Sequence, residues 1–404
     1  MTAAEAMAPC QASGLELHWR RDGGARTAIL KHRGRGKYYQ LSVARALVWS
    51  LCDGTRTVEM ICQRVANLGG PADDALVRRI LGRLGAEGLI TGFGQAVPPQ
   101  VQKADGGGLA RWCRRLLTWR VTFAGADRPA SWLYRRIGYL LCTPPMLFVL
   151  LGIMGSGVVA YVTTGGAPDA AGGQSWWWLP PVVFGCVLLH ETPHAMATKH
   201  FGCEVIGVGI GWFWLGPVCY ADTSDMWLAG RWARILVSLA GPASDLVVAG
   251  MCSLAAPLAS PDWTAHLHLL SGVLYLMVIG NLSPLLEFDG YYALADLLNR
   301  PNLRQQSIRW ICNEFRFGCV GWHDIVRHRV EALYGGGSLL YMAALLLLNA
   351  HANVVFFRHA LDGSAPGWVP AVLAWLITLA LFMVFLFGLL SEVKRLTARA
   401  MSRE

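Results

Sequence analysis

Residues 176–197 read WWWLPPVVFGCVLLHETPHAMA, an apolar run that closes on two histidines with a glutamate between them. Crossing the hydrocarbon core of a bilayer takes about 20 helical residues, and this run has that length. In a helix His190 and His194 lie one turn apart on the same side, so both can offer a ring nitrogen to one metal ion, with Glu191 beside them. The chemistry needs this grouping. Zinc brings the pKa of a bound water close to neutrality, and an adjacent carboxylate takes and returns its proton. Ionisable groups inside an apolar span are costly and mark function by default. The stretch therefore sets two expectations: a polytopic α-helical membrane protein, and a metal site inside it.

Composition agrees with the first. Of 404 residues, 54% are hydrophobic and only 15% charged, outside the usual soluble balance. The net charge of +9 comes from clustered basic residues, which bears on membrane topology more than on a polyanionic partner, so nucleic acid is not the expected ligand. The 11 cysteines are scattered singly with no C-x-x-C pair, which argues against a disulfide framework and against a thiolate zinc site. Residues 1–14 lack a basic stretch followed by an apolar core, so the front of the chain is expected in the cytosol.

Six runs have spanning length: 137–162, 176–197, 235–258, 269–286, 338–357 and 368–390. The connections 163–175 and 259–268 hold no Lys or Arg, whereas the alternate ones hold Lys199, Arg231 and Arg234, then Arg300, Arg304 and Arg309. The positive-inside rule then puts both termini, including the basic tail 392–404, on the cytosolic side of a bacterial cytoplasmic membrane, with the even-numbered spans running inward. Residues 205–220 are apolar but short and Gly-rich, and read as a hairpin or re-entrant element packed against the site. Trp176, Trp177 and Trp178 read as an interfacial belt, and Trp212 and Trp214 as packing residues.

The front of the chain, domain 1–95, has soluble character. Strand-like runs at 15–20, 26–33 and 38–41 precede helical stretches at 43–51, 57–67 and 73–87, an α+β winged-helix pattern with turns at Gly23-Gly24 and Gly34-Arg35-Gly36. Residues 44–61, ARALVWSLCDGTRTVEMI, resemble the PqqD family of small peptide-binding domains, most specifically at Asp53, Gly54, Thr55 and Thr57 of the D-G-T-R-T core. That resemblance implies capture of a peptide as an added strand at a sheet edge. The other reading of a winged helix is DNA binding through Arg78, Arg79 and Arg83, which would make the chain a membrane-anchored regulator. Residues 96–136 form a basic linker with Trp112, Trp119 and Trp132, suited to lying on the cytosolic leaflet.

Three motifs in order carry a second resemblance: H-E-T-P-H at 190–194, A-G-P-A-S-D at 240–245 and N-L-S-P-L-L-E-F-D-G at 281–290. Together they resemble the site-2 protease family of intramembrane zinc metalloproteases, and F-D-G-Y-Y at 288–292 with the PqqD-like front resembles its bacterial peptide metalloprotease branch. The resemblance implies Asp289 as third Zn2+ ligand after His190 and His194, Glu191 as catalytic base, and Asn281 and Asp245 as residues that position substrate. Counted at 1.5 Å per residue, His190 and Asp289 sit at depths of about 21 and 30 Å in two spans running the same way. The chain departs from the family pattern at Pro193, Asp245, Ser283 and Glu287. The expected activity is zinc-dependent hydrolysis of a peptide bond in a peptide or membrane-protein substrate, with a precursor peptide concentrated by the front domain. The rival is a non-catalytic membrane component of a peptide maturation or export system that keeps the fold and the metal.

Overall fold

Ser42, Thr57 and Asp73 each accept a hydrogen bond from a backbone N–H two or three residues on, and so open the first three helices of the computed structural model: α1 (Val43–Ser50), α2 (Val58–Asn67) and α3 (Asp74–Ala86). The structure describes residues 8–22, 25–33, 36–69, 73–93, 119–164, 178–213, 216–317 and 322–360, and scattered positions between 369 and 379. Strands β1 (Cys10–Gln11), β2 (Leu15–Asp22), β3 (Ala25–His32), β4 (Lys37–Leu41) and β5 (Ile90–Thr91) complete the front domain. An antiparallel meander runs β2-β3-β4, and β1 pairs with β5 as a short ribbon. The register sets Leu17 opposite Leu30 and Leu30 opposite Tyr39, so one face of the sheet is apolar. That face packs on Val48, Trp49, Ile61, Val65, Leu81 and Leu84 of the three helices. The expected strands and helices of this domain stand within a residue or two of their places.

The described part of the linker, from Trp119 onward, forms regular elements. Arg120–Ala124 forms β6, which pairs antiparallel with β7 (Gly207–Phe213), and β7 pairs in turn with β8 (Gly216–Asp222). The expected hairpin at 205–220 is therefore present, as two strands of a three-stranded sheet. Helix α4 (Asp127–Leu133) follows β6, then one π turn over Tyr134–Gly138.

The remaining helices are α5 (Pro144–Thr163), α6 (Leu179–His200), α7 (Arg231–Ala255), α8 (Pro261–Asn281), α9 (Asp289–Leu297), α10 (Leu303–Phe317), α11 (Trp322–Arg327) and α12 (Arg329–Ala360). Among the described residues four helices are long and apolar enough to cross a membrane: α5, α7 with its 3₁₀ extension to Leu258, α8, and α12 as far as Val355. Six such spans were expected, and their bounds also shift. The first begins at Pro144, because Thr143 is extended and a proline cannot sit inside a helix without losing a hydrogen bond. The third begins at Arg231 and the fourth at Pro261, the latter ending at Asn281. The second expected span is the helix α6, but His190, Glu191 and His194 lower its hydropathy and it is not one of the four. Only scattered positions of the run 368–390 are described, and the tail 392–404, residues 94–118, Trp176, Trp177, Gly23, Gly24, Gly34, Arg35 and the side chains of Trp212 and Trp214 lie outside the described residues.

Helix α7 is the hub, packed by α5, α6, α8 and α9. Its contact with α5 is backbone on backbone: a Cβ on Gly157 would lie 2.2 Å from the Gly250 Cα. Small residues at such crossings let apolar helices approach closely.

Candidate metal centre

Two side chains on α6 face α7. His190 places Nδ1 2.7 Å from Asp245 Oδ2, and His194 places Nδ1 2.6 Å from the Val237 carbonyl. A carboxylate and a carbonyl can only accept, so both Nδ1 atoms carry the proton and donate. That fixes the tautomers and leaves both Nε2 lone pairs free, which is how outer-shell partners present histidine to a metal. The two Nε2 atoms are 3.4 Å apart, and the Asp289 carboxylate lies 3.1 Å from that of His190 and 3.5 Å from that of His194. Ligand atoms on a metal bound at 2.0–2.1 Å are separated by roughly 3.3 Å, close to the spacing of the two Nε2 atoms, and Asp289 turns Oδ2 toward His190 and Oδ1 toward His194. Among the described residues His190, His194 and Asp289 form the group able to hold a metal, with all three ligand atoms within 4.8 Å.

Asp289 arrives by a route other than the one expected. It is not on the fourth long helix. Helix α8 stops at Asn281, the chain turns, and Asp289 is the first residue of α9, which packs on α7. The depth count along one span therefore does not apply; the carboxylate meets the histidines because α9 rests on the helix that holds both Nδ1 protons. Gly290 permits the approach, since a Cβ there would stand 2.1 Å from the Leu282 carbonyl oxygen. Arg234 of α7 donates from Nε to Asp296 at 2.7 Å and ties the far end of α9 down.

Glu191 stands beside the cluster, and its Oε2 accepts from the Ala221 N–H of β8 at 2.7 Å. The hairpin therefore orients the expected base. Pro193, which removes the hydrogen bond to the Leu189 carbonyl, leaves α6 continuous and the histidines facing each other. Asp245, expected to position substrate, has a buried carboxylate engaged with His190. Asn281 closes α8, and among the described residues no side-chain hydrogen bond ties it to the cluster. Sequence reasoning passed over Gly241. A Cβ there would lie 2.2 Å from His194 Nε2 and 2.5 Å from His190 Nε2, so only glycine leaves the space beside the two nitrogens open. Its signal was its place in the A-G-P motif.

In the front domain the D-G-T-R-T core is structural. Asp53 Oδ1 accepts from the Thr55 N–H at 2.9 Å and from its hydroxyl at 2.7 Å, Gly54 adopts φ +82°, and Thr57 caps α2. The turn it makes brings the Gly54 N–H to the Pro9 carbonyl at 3.0 Å and so seats the β1 end on the domain. Residues 27–90 match the family model described as Coenzyme PQQ synthesis protein D (PqqD). No curated protein and no solved structure matches the chain. The PqqD match takes in β3, β4 and all three front helices, and so includes the D-G-T-R-T core. On this PqqD-like domain Arg78, one of the three arginines of the DNA reading, is paired with Glu59 at 2.9 Å.

Proposed function

We propose that the chain is an intramembrane zinc metalloendopeptidase of the site-2 protease type, acting on a peptide or membrane-protein substrate that the PqqD-like domain helps to capture. The observation that carries the reading is the convergence of His190, His194 and Asp289 beside Glu191, from two helices packed on a third. Membrane association is supported by the four long apolar helices and their outward surface, where Phe148 is 75% and Leu276 70% exposed; a bacterial cytoplasmic membrane with cytosolic termini follows from the charge of the connections alone.

His190, His194 and Asp289 would hold Zn2+ in this reading. When bound, zinc supplies a Lewis acid that polarises a carbonyl and acidifies a water. The chain's own groups do the rest. Glu191, with Oε2 held by Ala221, keeps Oε1 for a proton taken from the attacking water and returned to the leaving amine. Asp245 and Val237 keep the histidines in the ligating tautomer. The β8 strand that carries Ala221 lies along α6, so an extended substrate reaching Glu191 passes the hairpin.

The test is reconstitution of the purified protein in lipid with candidate precursor peptides, as wild type and as Glu191→Gln. Cleavage by the wild type, absent in the variant with zinc retained, supports the reading. A chain that performs its role in peptide maturation equally well as Glu191→Gln is a non-catalytic component.

A further inference from the structure

The outer face of the front-domain sheet is covered. Arg20 of β2 donates from Nη1 to the Trp227 carbonyl at 2.7 Å. Lys31 of β3 reaches Asp225 at 2.7 Å and Glu204 at 2.8 Å, and the Tyr38 hydroxyl of β4 donates to Asp225 at 2.8 Å. Ile29, on the same face, is 2% exposed although it lies outside the domain's own core. Every one of these polar contacts lands on residues 204–228, which run from the end of α6 through β7 and β8 to the 3₁₀ turn Ser224–Leu228.

The same segment touches the metal centre twice. Ala221 holds Glu191. Trp227 lies with its ring 5.5 Å from the Arg234 guanidinium, whose Nε holds Asp296 on α9, the helix that Asp289 begins. Arg234 and Asp225 are both buried. A buried charge that loses its partner is left uncompensated, so these pairs constrain geometry strongly whatever they add to net stability.

We propose that docking of the front-domain sheet on residues 204–228 sets the geometry of the metal centre, with Arg234 and Asp296 as positioning residues that act through Asp289. The proposal rests on the metalloprotease reading. A peptide that adds to an edge of β2-β3-β4 more tightly when the sheet is docked would raise metal affinity, and the metal would raise peptide affinity by the same factor.

The experiment uses the full chain in lipid nanodiscs and two readouts: zinc affinity by chelator competition, and docking by the rate at which limited proteolysis releases the front domain. Lys31→Ala should release the front domain faster and weaken zinc binding about threefold to thirtyfold. Tyr38→Phe, which removes one hydroxyl and is the variant least able to misfold, should move both readouts the same way by less. Asp296→Asn should weaken zinc with docking unchanged, and Asp296→Glu should recover part of the loss. Loosened docking with wild-type zinc affinity overturns the coupling and leaves the metalloprotease reading standing. A wild-type chain that binds no zinc overturns both.

Discussion

Replacing Gly241 with alanine adds one methyl group at a place where the structure has no room for it. The new Cβ would lie 2.2 Å from His194 Nε2 and 2.5 Å from His190 Nε2, against 3.4–4 Å for ordinary contact. Gly241 is on α7, whose backbone is fixed by four neighbouring helices, so the rings must give way by about 1 Å. A metal site tolerates displacements of about 0.2 Å in its ligands. Moving the His194 ring also strains its 2.6 Å bond to the Val237 carbonyl. Loss of an outer-shell partner alone costs roughly 10–100-fold in metal affinity, and here a ligand moves as well, so Gly241→Ala should lose at least that much. The assay is competition for zinc with a chromophoric chelator, alongside thermal melting to show that the variant is folded. Gly185→Ala, on α6 with nothing within 4 Å of its Cβ, is the matched control and should bind as wild type. A folded Gly241→Ala with wild-type zinc affinity would show that the metal does not sit between the two Nε2 atoms.

Asp245→Ala should lower zinc affinity about 10–100-fold, whereas Asp245→Asn, which still accepts from His190 Nδ1, should lose less; the same titration measures both. Gly157→Ala forces α5 and α7 apart and should cost about 1–3 kcal/mol in denaturant unfolding, while Gly155→Ala, whose Cβ meets nothing within 4 Å, should be silent. Front-domain docking should depend on pH in a defined window. Burial would raise the Asp225 carboxyl, but the Lys31 ammonium, the Glu204 N–H and the Tyr38 hydroxyl hold it below its ordinary 3.8. Burial likewise opposes the Lys31 ammonium, which Asp225 and Glu204 nevertheless hold above 10.5. A depressed carboxyl gives stability present above its unfolded value and lost as pH falls through its folded one, and a raised ammonium gives stability present below 10.5 and lost as pH rises through its folded value. Proteolytic release of the front domain should therefore be flat from about pH 5 to about pH 10 and faster outside that window; steady change across it would remove the Lys31–Asp225 pair from the account.

The parts of the fold that local chemistry decides were legible. Ser42, Thr57 and Asp73 announce helix starts by their side-chain oxygens, and alternation from Leu15 to Leu41 marks the sheet. What depends on distant partners was not. Arg120–Ala124 is short and exposed, and becomes a strand only because β7, far along the chain, pairs with it. Nor does the pattern of polar residues at Arg20, Lys31 and Tyr38 show that this face meets another part of the chain, because their partners lie some two hundred residues on. Helix α8 was placed too late because Trp263, His266 and His268 depress the apolar signal of its first half. In the site, ligand types and motif order were readable, but the roles of Asp245 and Gly241 came from which atoms they face. A sequence states residue types, whereas the direction of Asp245 toward a ring nitrogen is set by how α6 packs on α7.

The proposed activity stands on Glu191 as a base beside a zinc held by His190, His194 and Asp289. The most direct measurement pairs zinc content with peptide cleavage on the same reconstituted samples of wild type, Glu191→Gln and Asp289→Ala. Wild type and Glu191→Gln should carry about one zinc per chain, wild type alone should cleave, and Asp289→Ala should lose both zinc and cleavage. Cleavage by Glu191→Gln at the wild-type rate, or full zinc content in Asp289→Ala, would contradict it.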